Sequence, residues 1–123
     1  MRLERRKFRR VPTTAVTQWK KYTANPEYTP SFPAITKNIS LGGVCISTYS
    51  KLNLGDTLRV EISLPSKKTI KFLGKVVWLK DAEHNKSERV QYDVGLQIAD
   101  MSAEDQEEIS KFAFLNFFLT SET

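Results

Sequence analysis

The sequence predicts a mainly β protein: a small antiparallel β-barrel of six strands followed by one C-terminal α-helix. Six segments have strand-like patterns at short spacing, and polar turn residues separate them. After residue 101 the hydrophobic period changes from that of a strand to that of a helix. The chain has 123 residues, which is enough for one domain whose core needs neither disulfide nor metal.

Three of the six predicted strands, 57–64, 69–79 and 90–98, alternate between apolar and polar residues. In the second of them, Gly74 marks a bulge or a corner. The residues predicted to share its apolar face are Ile70, Phe72, Gly74, Val76 and Trp78. The other predicted strands are 13–22, 34–37 and 44–48.

Turns and a helix start are also visible in the sequence. The segment 25–33 contains three prolines and predicts a loop, and 38–43 predicts a polar, glycine-rich turn. Ser102 lies three residues before Asp105, as the N-cap of a helix would. The helix end, 112–119, is apolar on too many sides for a free surface helix. We expect it to pack across a barrel opening, with a remainder that could contact another protein or a second copy of the chain.

The net charge of +5 is concentrated at the start of the chain. Residues 1–10 contain five arginines and one lysine against a single glutamate, whereas residues 11–123 contain 13 basic and 13 acidic residues. Arginine offers a planar fork of donors that fits phosphate and stacks on bases, so a phosphate-type partner is one interpretation. A solvated basic tail is the other. We therefore divide the chain into a flexible Arg-rich segment, 1–10, and a barrel with its helix, 11–123.

The residues that catalysis or metal binding would need are scarce. His84, the only histidine, falls in a polar loop, and Cys45, the only cysteine, falls in an apolar strand where a buried small side chain is expected. One histidine and one cysteine cannot assemble a usual zinc site. We predict a protein that is not an enzyme, holds no metal or cofactor, inserts in no membrane and resides in the cytoplasm.

The large aromatic residues of the predicted strands are expected in the barrel core or at its rim, not as platforms on which bases stack. They are Trp19, Phe32, Phe72 and Trp78.

Two short motifs indicate a family and, with it, a function. Arg6 and Arg10 form an Arg-x-x-x-Arg spacing that Arg5 precedes, and 38–43 forms an Asn-x-Ser-x-x-Gly spacing. In this order, with the strand pattern that follows them, the two motifs resemble the PilZ domain family over nearly the whole chain. Where Asn38 stands, the family more often has Asp.

The resemblance implies a receptor for the bacterial second messenger cyclic di-GMP, with that nucleotide as ligand. By similarity, the binding residues are Arg5, Arg6, Arg10, Asn38, Ser40, Gly42 and Gly43. A guanidinium can bind phosphate or the O6 and N7 atoms of guanine, and the Asn38 carbonyl can accept from guanine N–H groups. The Ser40 hydroxyl can donate a hydrogen bond or orient a neighbouring group. The two glycines allow the backbone to approach the ligand closely.

The resemblance further implies that ligand orders the Arg-rich segment and so signals to a separate, unidentified effector protein. Motility, exopolysaccharide synthesis and type IV pili are the pathways of the family, and the sequence does not choose among them. It also leaves open one or two ligand molecules per chain and a homodimer. The alternatives are a small barrel that binds single-stranded nucleic acid, which the neutral remainder of the chain disfavours, and a PilZ-like interaction module without nucleotide binding.

Overall fold

The computed structural model of the chain describes residues 11–23, 29–81 and 90–121, and among these the side chains from Thr14 to Phe112. Six strands and one helix follow each other along the chain. They are β1 (Val11–Lys21), β2 (Phe32–Ile39), β3 (Gly43–Thr48), β4 (Thr57–Ser63), β5 (Thr69–Asp81), β6 (Tyr92–Met101) and α1 (Ala103–Ser121). All pairings are antiparallel, and the strands close into a barrel in the order β1, β2, β3, β6, β5, β4, with β4 paired back to β1. The predicted fold class is confirmed.

The core fills the inside of the barrel with the apolar face of each strand. In β4, Leu58, Val60 and Ile62 are fully buried and alternate with exposed polar residues, as the sequence predicted. Burying one such side chain stabilises the fold by about 1.5–3 kcal/mol. Cys45 is also buried, as predicted.

Trp19 in β1 contacts the start of β2 and the end of β3. Its indole stacks on Phe32, with ring centroids 4.7 Å apart, and its Nε1 donates to Thr48 Oγ1 over 3.1 Å. A buried indole that keeps a hydrogen-bond partner costs little to desolvate, so Trp19 belongs to the core and not to a ligand surface. Phe72 is buried in the core as well, which confirms the assignment of both residues.

The strands extend further than the sequence predicted. β2 includes Asn38 and Ile39, which we had placed in the turn, so the turn itself shrinks to residues 40–42. β5 continues to Asp81, and β6 runs from Tyr92 to Met101 instead of from 90 to 98. The reason is pairing between strands: Asp81 is the register partner of Tyr92, and Met101 that of Phe72. Backbone hydrogen bonds to a neighbour hold residues in a strand where their own propensity is weak.

The prediction that Trp78 shares the inner face of β5 is wrong. The register between β5 and β6 shifts between Val76 and Trp78, and this shift places Trp78 opposite Gly95. Since Val94 and Leu96 are buried in the core, Gly95 between them belongs to the outer face, and Trp78 lies there with it. The predicted irregularity at Gly74 is confirmed by a second register shift, between Leu73 and Gly74.

Two side chains fix the start of α1: Ser102 caps the helix, and Asp105 joins it to the barrel. Ser102 Oγ accepts the backbone N–H of Asp105 over 3.1 Å, which confirms the predicted N-cap. The carboxylate of Asp105 accepts the backbone N–H of Lys71 in β5 over 3.0 Å. Ile109 is fully buried and Phe112 packs against the core, so the first half of α1 packs on the barrel. No helix in the described part of the chain has the length and apolar character to cross a bilayer.

We expect Ile62→Ala to lower the free energy of unfolding by about 2–5 kcal/mol, because it leaves a cavity in a packed core. Glu61→Ala, on the exposed face of the same strand, should change it by less than about 0.5 kcal/mol. Chemical denaturation of both variants measures the difference. Equal effects of the two substitutions would contradict the assignment of the inner and outer faces.

Candidate functional site

An extra residue in β2 places the candidate site on the outer face of the barrel. Thr36 is the register partner of Ile46 and Asn38 that of Cys45, so β2 has one residue more than β3 between these pairs, Lys37. Such a β-bulge re-aims the side chains beside it. Thr36 and Ile39 both lie buried, and the two residues between them, Lys37 and Asn38, both face outward.

Asn38 begins a row of register partners that crosses the outer face. Its partner in β3 is Cys45, whose partner in β6 is Gly95, whose partner in β5 is Trp78. The Asn38 Oδ1 atom is buried and has no hydrogen-bond partner among the described residues. Buried polar atoms in native proteins are nearly always hydrogen-bonded, so this acceptor is suited to a donor that a bound molecule supplies.

Trp78 lies directly over Gly95 at the far end of this row. A Cβ atom on Gly95 would stand 2.0 Å from the Nε1 atom of Trp78, so only glycine leaves space for the indole. The indole is half-buried and gives the outer face an aromatic surface at the end of the row opposite Asn38.

Ser40 organises the turn between β2 and β3. Its Oγ accepts the backbone N–H groups of Gly42 and Gly43 over 3.2 and 3.1 Å, and donates to the carbonyl of Gly43 over 3.1 Å. A hydroxyl has one donor and two acceptor positions, and all three are used here. Of the two roles expected for Ser40, donating to a ligand or orienting, the described hydrogen bonds favour the second.

The two glycines of the motif hold the turn against β6. The Gly42 carbonyl accepts the backbone N–H of Ile98 over 3.2 Å. A Cβ atom on Gly43 would stand 2.7 Å from the carbonyl oxygen of Leu96, a backbone atom that cannot easily move away. The close backbone approach that we expected Gly43 to allow is therefore present, and it is made to the neighbouring strand.

Next to Asn38, an ion pair crosses the outer face of β3. Lys37 Nζ lies 3.2 Å from Asp93 Oδ2, so a residue of β2 is joined to a residue of β6 over the strand between them. Sequence reasoning missed Lys37 and Asp93, and it placed Trp78 on the apolar face of its strand, in the barrel core or at its rim. The signal in the sequence that pointed to Trp78 is Gly95, a glycine at an outward position of a strand, which indicates that a bulky neighbour lies over it.

The structure brings four of the predicted binding residues together at this corner: Asn38, Ser40, Gly42 and Gly43. Arg5, Arg6 and Arg10 lie outside the described residues, as does His84. Among the side chains that the structure describes, there is no group of three or more His, Cys, Asp or Glu residues that could hold a metal ion.

We expect Ser40→Ala to destabilise the fold by about 1–3 kcal/mol, because the N–H groups of Gly42 and Gly43 lose their acceptor. The exposed Ser63, at the end of β4, serves as the control, and its replacement by Ala should cost less than about 0.5 kcal/mol. Chemical denaturation measures both. A Ser40→Ala protein as stable as the Ser63→Ala protein would show that the hydroxyl does not organise the turn.

Solved structures with the same fold include three proteins from different bacteria. The PilZ domain of Escherichia coli YcgR with c-di-GMP is 11% identical, with a TM-score of 0.72, 97% of this chain and 96% of that chain covered. The inhibitor of motility MotI/DgrA of Bacillus subtilis is 21% identical, with a TM-score of 0.74 and coverage of 98% and 54%. The MrkH–c-di-GMP complex of K. pneumonia is 17% identical, with a TM-score of 0.74 and coverage of 98% and 54%.

At these identities the structural likeness shows the fold, and this chain spans about half the length of the MotI and MrkH chains. No curated protein matches the chain in sequence. The family model described as the PilZ domain, however, matches residues 4–115 and so includes both motifs, the barrel and the first part of α1. This chain therefore belongs to the PilZ domain family.

Proposed function

We propose that this PilZ domain is a receptor for cyclic di-GMP that binds the nucleotide on the outer face of the barrel, at the corner formed by Asn38 and the turn 40–42. The family match and the solved c-di-GMP complexes of YcgR and MrkH support this ligand class. Such a receptor changes its own surface when the ligand binds, and it catalyses no reaction.

The observation that carries the proposal is the unsatisfied acceptor on Asn38. Its Oδ1 atom is buried, and no described residue donates to it. Guanine carries N–H donors on its N1 and N2 atoms, which an amide oxygen can accept, whereas a phosphate has none to offer. The residue thus suits the base of the ligand, and the orphaned acceptor gives a free-energy reason for binding it.

Other residues would position Asn38 or contact the rest of the ligand. Ser40, Gly42 and Gly43 hold the backbone of the turn against β6, so that Asn38 keeps its position. The indole of Trp78, at the other end of the row from Asn38, offers a surface on which a purine can stack. Arg5, Arg6 and Arg10 supply the guanidinium forks for the two phosphates and for the second guanine.

Binding would neutralise the Arg-rich segment 1–10 and order it against the barrel. Six cations within ten residues repel one another, and a doubly anionic ligand removes much of that repulsion. A separate effector protein would recognise the new surface. We place both proteins in the cytoplasm, because a chain with a single cysteine forms no internal disulfide and so suits a reducing compartment. MotI, whose name describes it as an inhibitor of motility, illustrates one pathway in which such a fold acts.

We expect titration calorimetry with cyclic di-GMP to show saturable binding to the intact chain and none to Arg6→Ala or Arg10→Ala, because each removes a bidentate phosphate or guanine contact. Arg59→Ala is the matched control. Arg59 lies on β4 against the ring of Tyr22, its guanidinium carbon 5.5 Å from the ring centroid, and should not contribute. If the intact chain releases no heat with cyclic di-GMP, the receptor assignment is wrong.

The same titration separates the two alternatives. Single-stranded RNA should bind weakly or not at all, and tight binding that falls steeply with salt would favour a nucleic-acid-binding barrel instead. Absence of binding to both the nucleotide and RNA would leave an interaction module that has the PilZ fold without its ligand.

A further inference from the structure

The bulge in β2 brings a second side chain, Lys37, to the outer face beside Asn38. Lys37 is the residue that has no register partner in β3 between the pairs formed by Thr36 and by Asn38. Its position is therefore tied to that of Asn38: one irregularity of the backbone sends both side chains outward. Lys37 and Asn38 are therefore neighbours on the outer face of the barrel.

The ammonium of Lys37 is held in place and still has donors to offer. It lies 3.2 Å and 3.5 Å from the two carboxylate oxygens of Asp93. An ammonium has three N–H donors, and Asp93 takes at most two of them, so at least one is left for another acceptor. The Lys37 side chain is 49% exposed, against 17% for Asp93, so the open side of the pair is the lysine.

Asp93 is an unexpected neighbour for an anion-binding site. It is the register partner of Ser47 in β3 and of Lys80 in β5, and it is two residues before Gly95, which lies under Trp78. A carboxylate at this place would by itself repel a ligand with two phosphates. Its contact with Lys37 gives it a different role, since it holds the ammonium over β3, on the same outer face as the row that starts at Asn38.

We propose that Lys37 is a phosphate-binding residue of the nucleotide site and that Asp93 is the positioning residue that holds its ammonium over β3. The inference rests on the proposed function. It adds a cation that the barrel itself supplies, in addition to the arginines of segment 1–10. A lysine ammonium is a compact point charge, which suits a phosphate oxygen. Holding the long side chain in advance removes part of the ordering cost that binding would otherwise carry.

The first test is titration calorimetry of the full chain with cyclic di-GMP. Lys37→Gln should weaken binding by about tenfold or more, because it removes a charge-assisted hydrogen bond to phosphate. Lys37→Arg should retain most of the affinity, since it keeps the charge. The matched control is Lys51→Gln, an exposed lysine at the opposite end of the barrel, which should bind as the parent chain does.

The second test uses the sign of the effect at Asp93. If Asp93 positions Lys37, Asp93→Asn should weaken binding several-fold, and should weaken it no further in a chain that already carries Lys37→Gln. If Asp93 merely adds negative charge near the ligand, Asp93→Asn should strengthen binding. Stronger or unchanged binding by Asp93→Asn therefore overturns the positioning role, and unchanged binding by Lys37→Gln overturns the phosphate contact.

Thermal unfolding of each variant shows whether a loss of affinity reflects a loss of fold. Both side chains of the pair lie on the outer face, so the unfolding temperatures should stay close to that of the parent chain. Loss of binding in Lys37→Gln that is matched by a large fall in that temperature would contradict a ligand contact. If the parent chain binds no cyclic di-GMP, the proposed function is wrong. If the parent chain binds and the Lys37→Gln chain binds equally well, only the role of Lys37 is wrong.

Discussion

β2 has one residue more than β3 between Thr36 and Asn38, and the position of the candidate site follows from that single irregularity. In a regular strand, Asn38 would lie on the same face as Thr36, inside the barrel. The buried Thr36 and Ile39 fix the strand on both sides of the bulge, because neither can turn outward without opening the core. The outward direction of Lys37 and Asn38 is thus secured by packing on the opposite face of the same strand.

Three residues of the corner stabilise the turn, and a fourth keeps a hydrogen-bond acceptor that none of the described residues uses. The hydroxyl of Ser40, the carbonyl of Gly42 and the missing Cβ of Gly43 are all used to hold the turn against itself and against β6. Asn38 alone among the four described motif residues keeps a buried oxygen for which no described donor exists. On the barrel side, a corner of this kind is held rigidly by its own hydrogen bonds.

Local patterns in the sequence were sufficient for the barrel but not for its irregularities. The alternation in β4, the N-cap at Ser102 and the buried Cys45 each depend on a residue and its near neighbours, and each was predicted. The sequence predicts Asn38 in a turn and Trp78 on the apolar face of its strand, because bulges arise from the register between two strands, which neither strand encodes alone. The ion pair of Lys37 with Asp93 depends on the same register across three strands.

The most direct test of the central claim is an amide and indole NMR titration of the full chain with cyclic di-GMP. We expect the signals of Asn38, Gly43 and Gly95 to shift together with that of the indole N–H of Trp78. The indole of Trp19, buried and bonded to Thr48, should stay in place and serves as the internal reference. Shifts confined to other faces of the barrel, with the corner at Asn38 unchanged, would contradict the account.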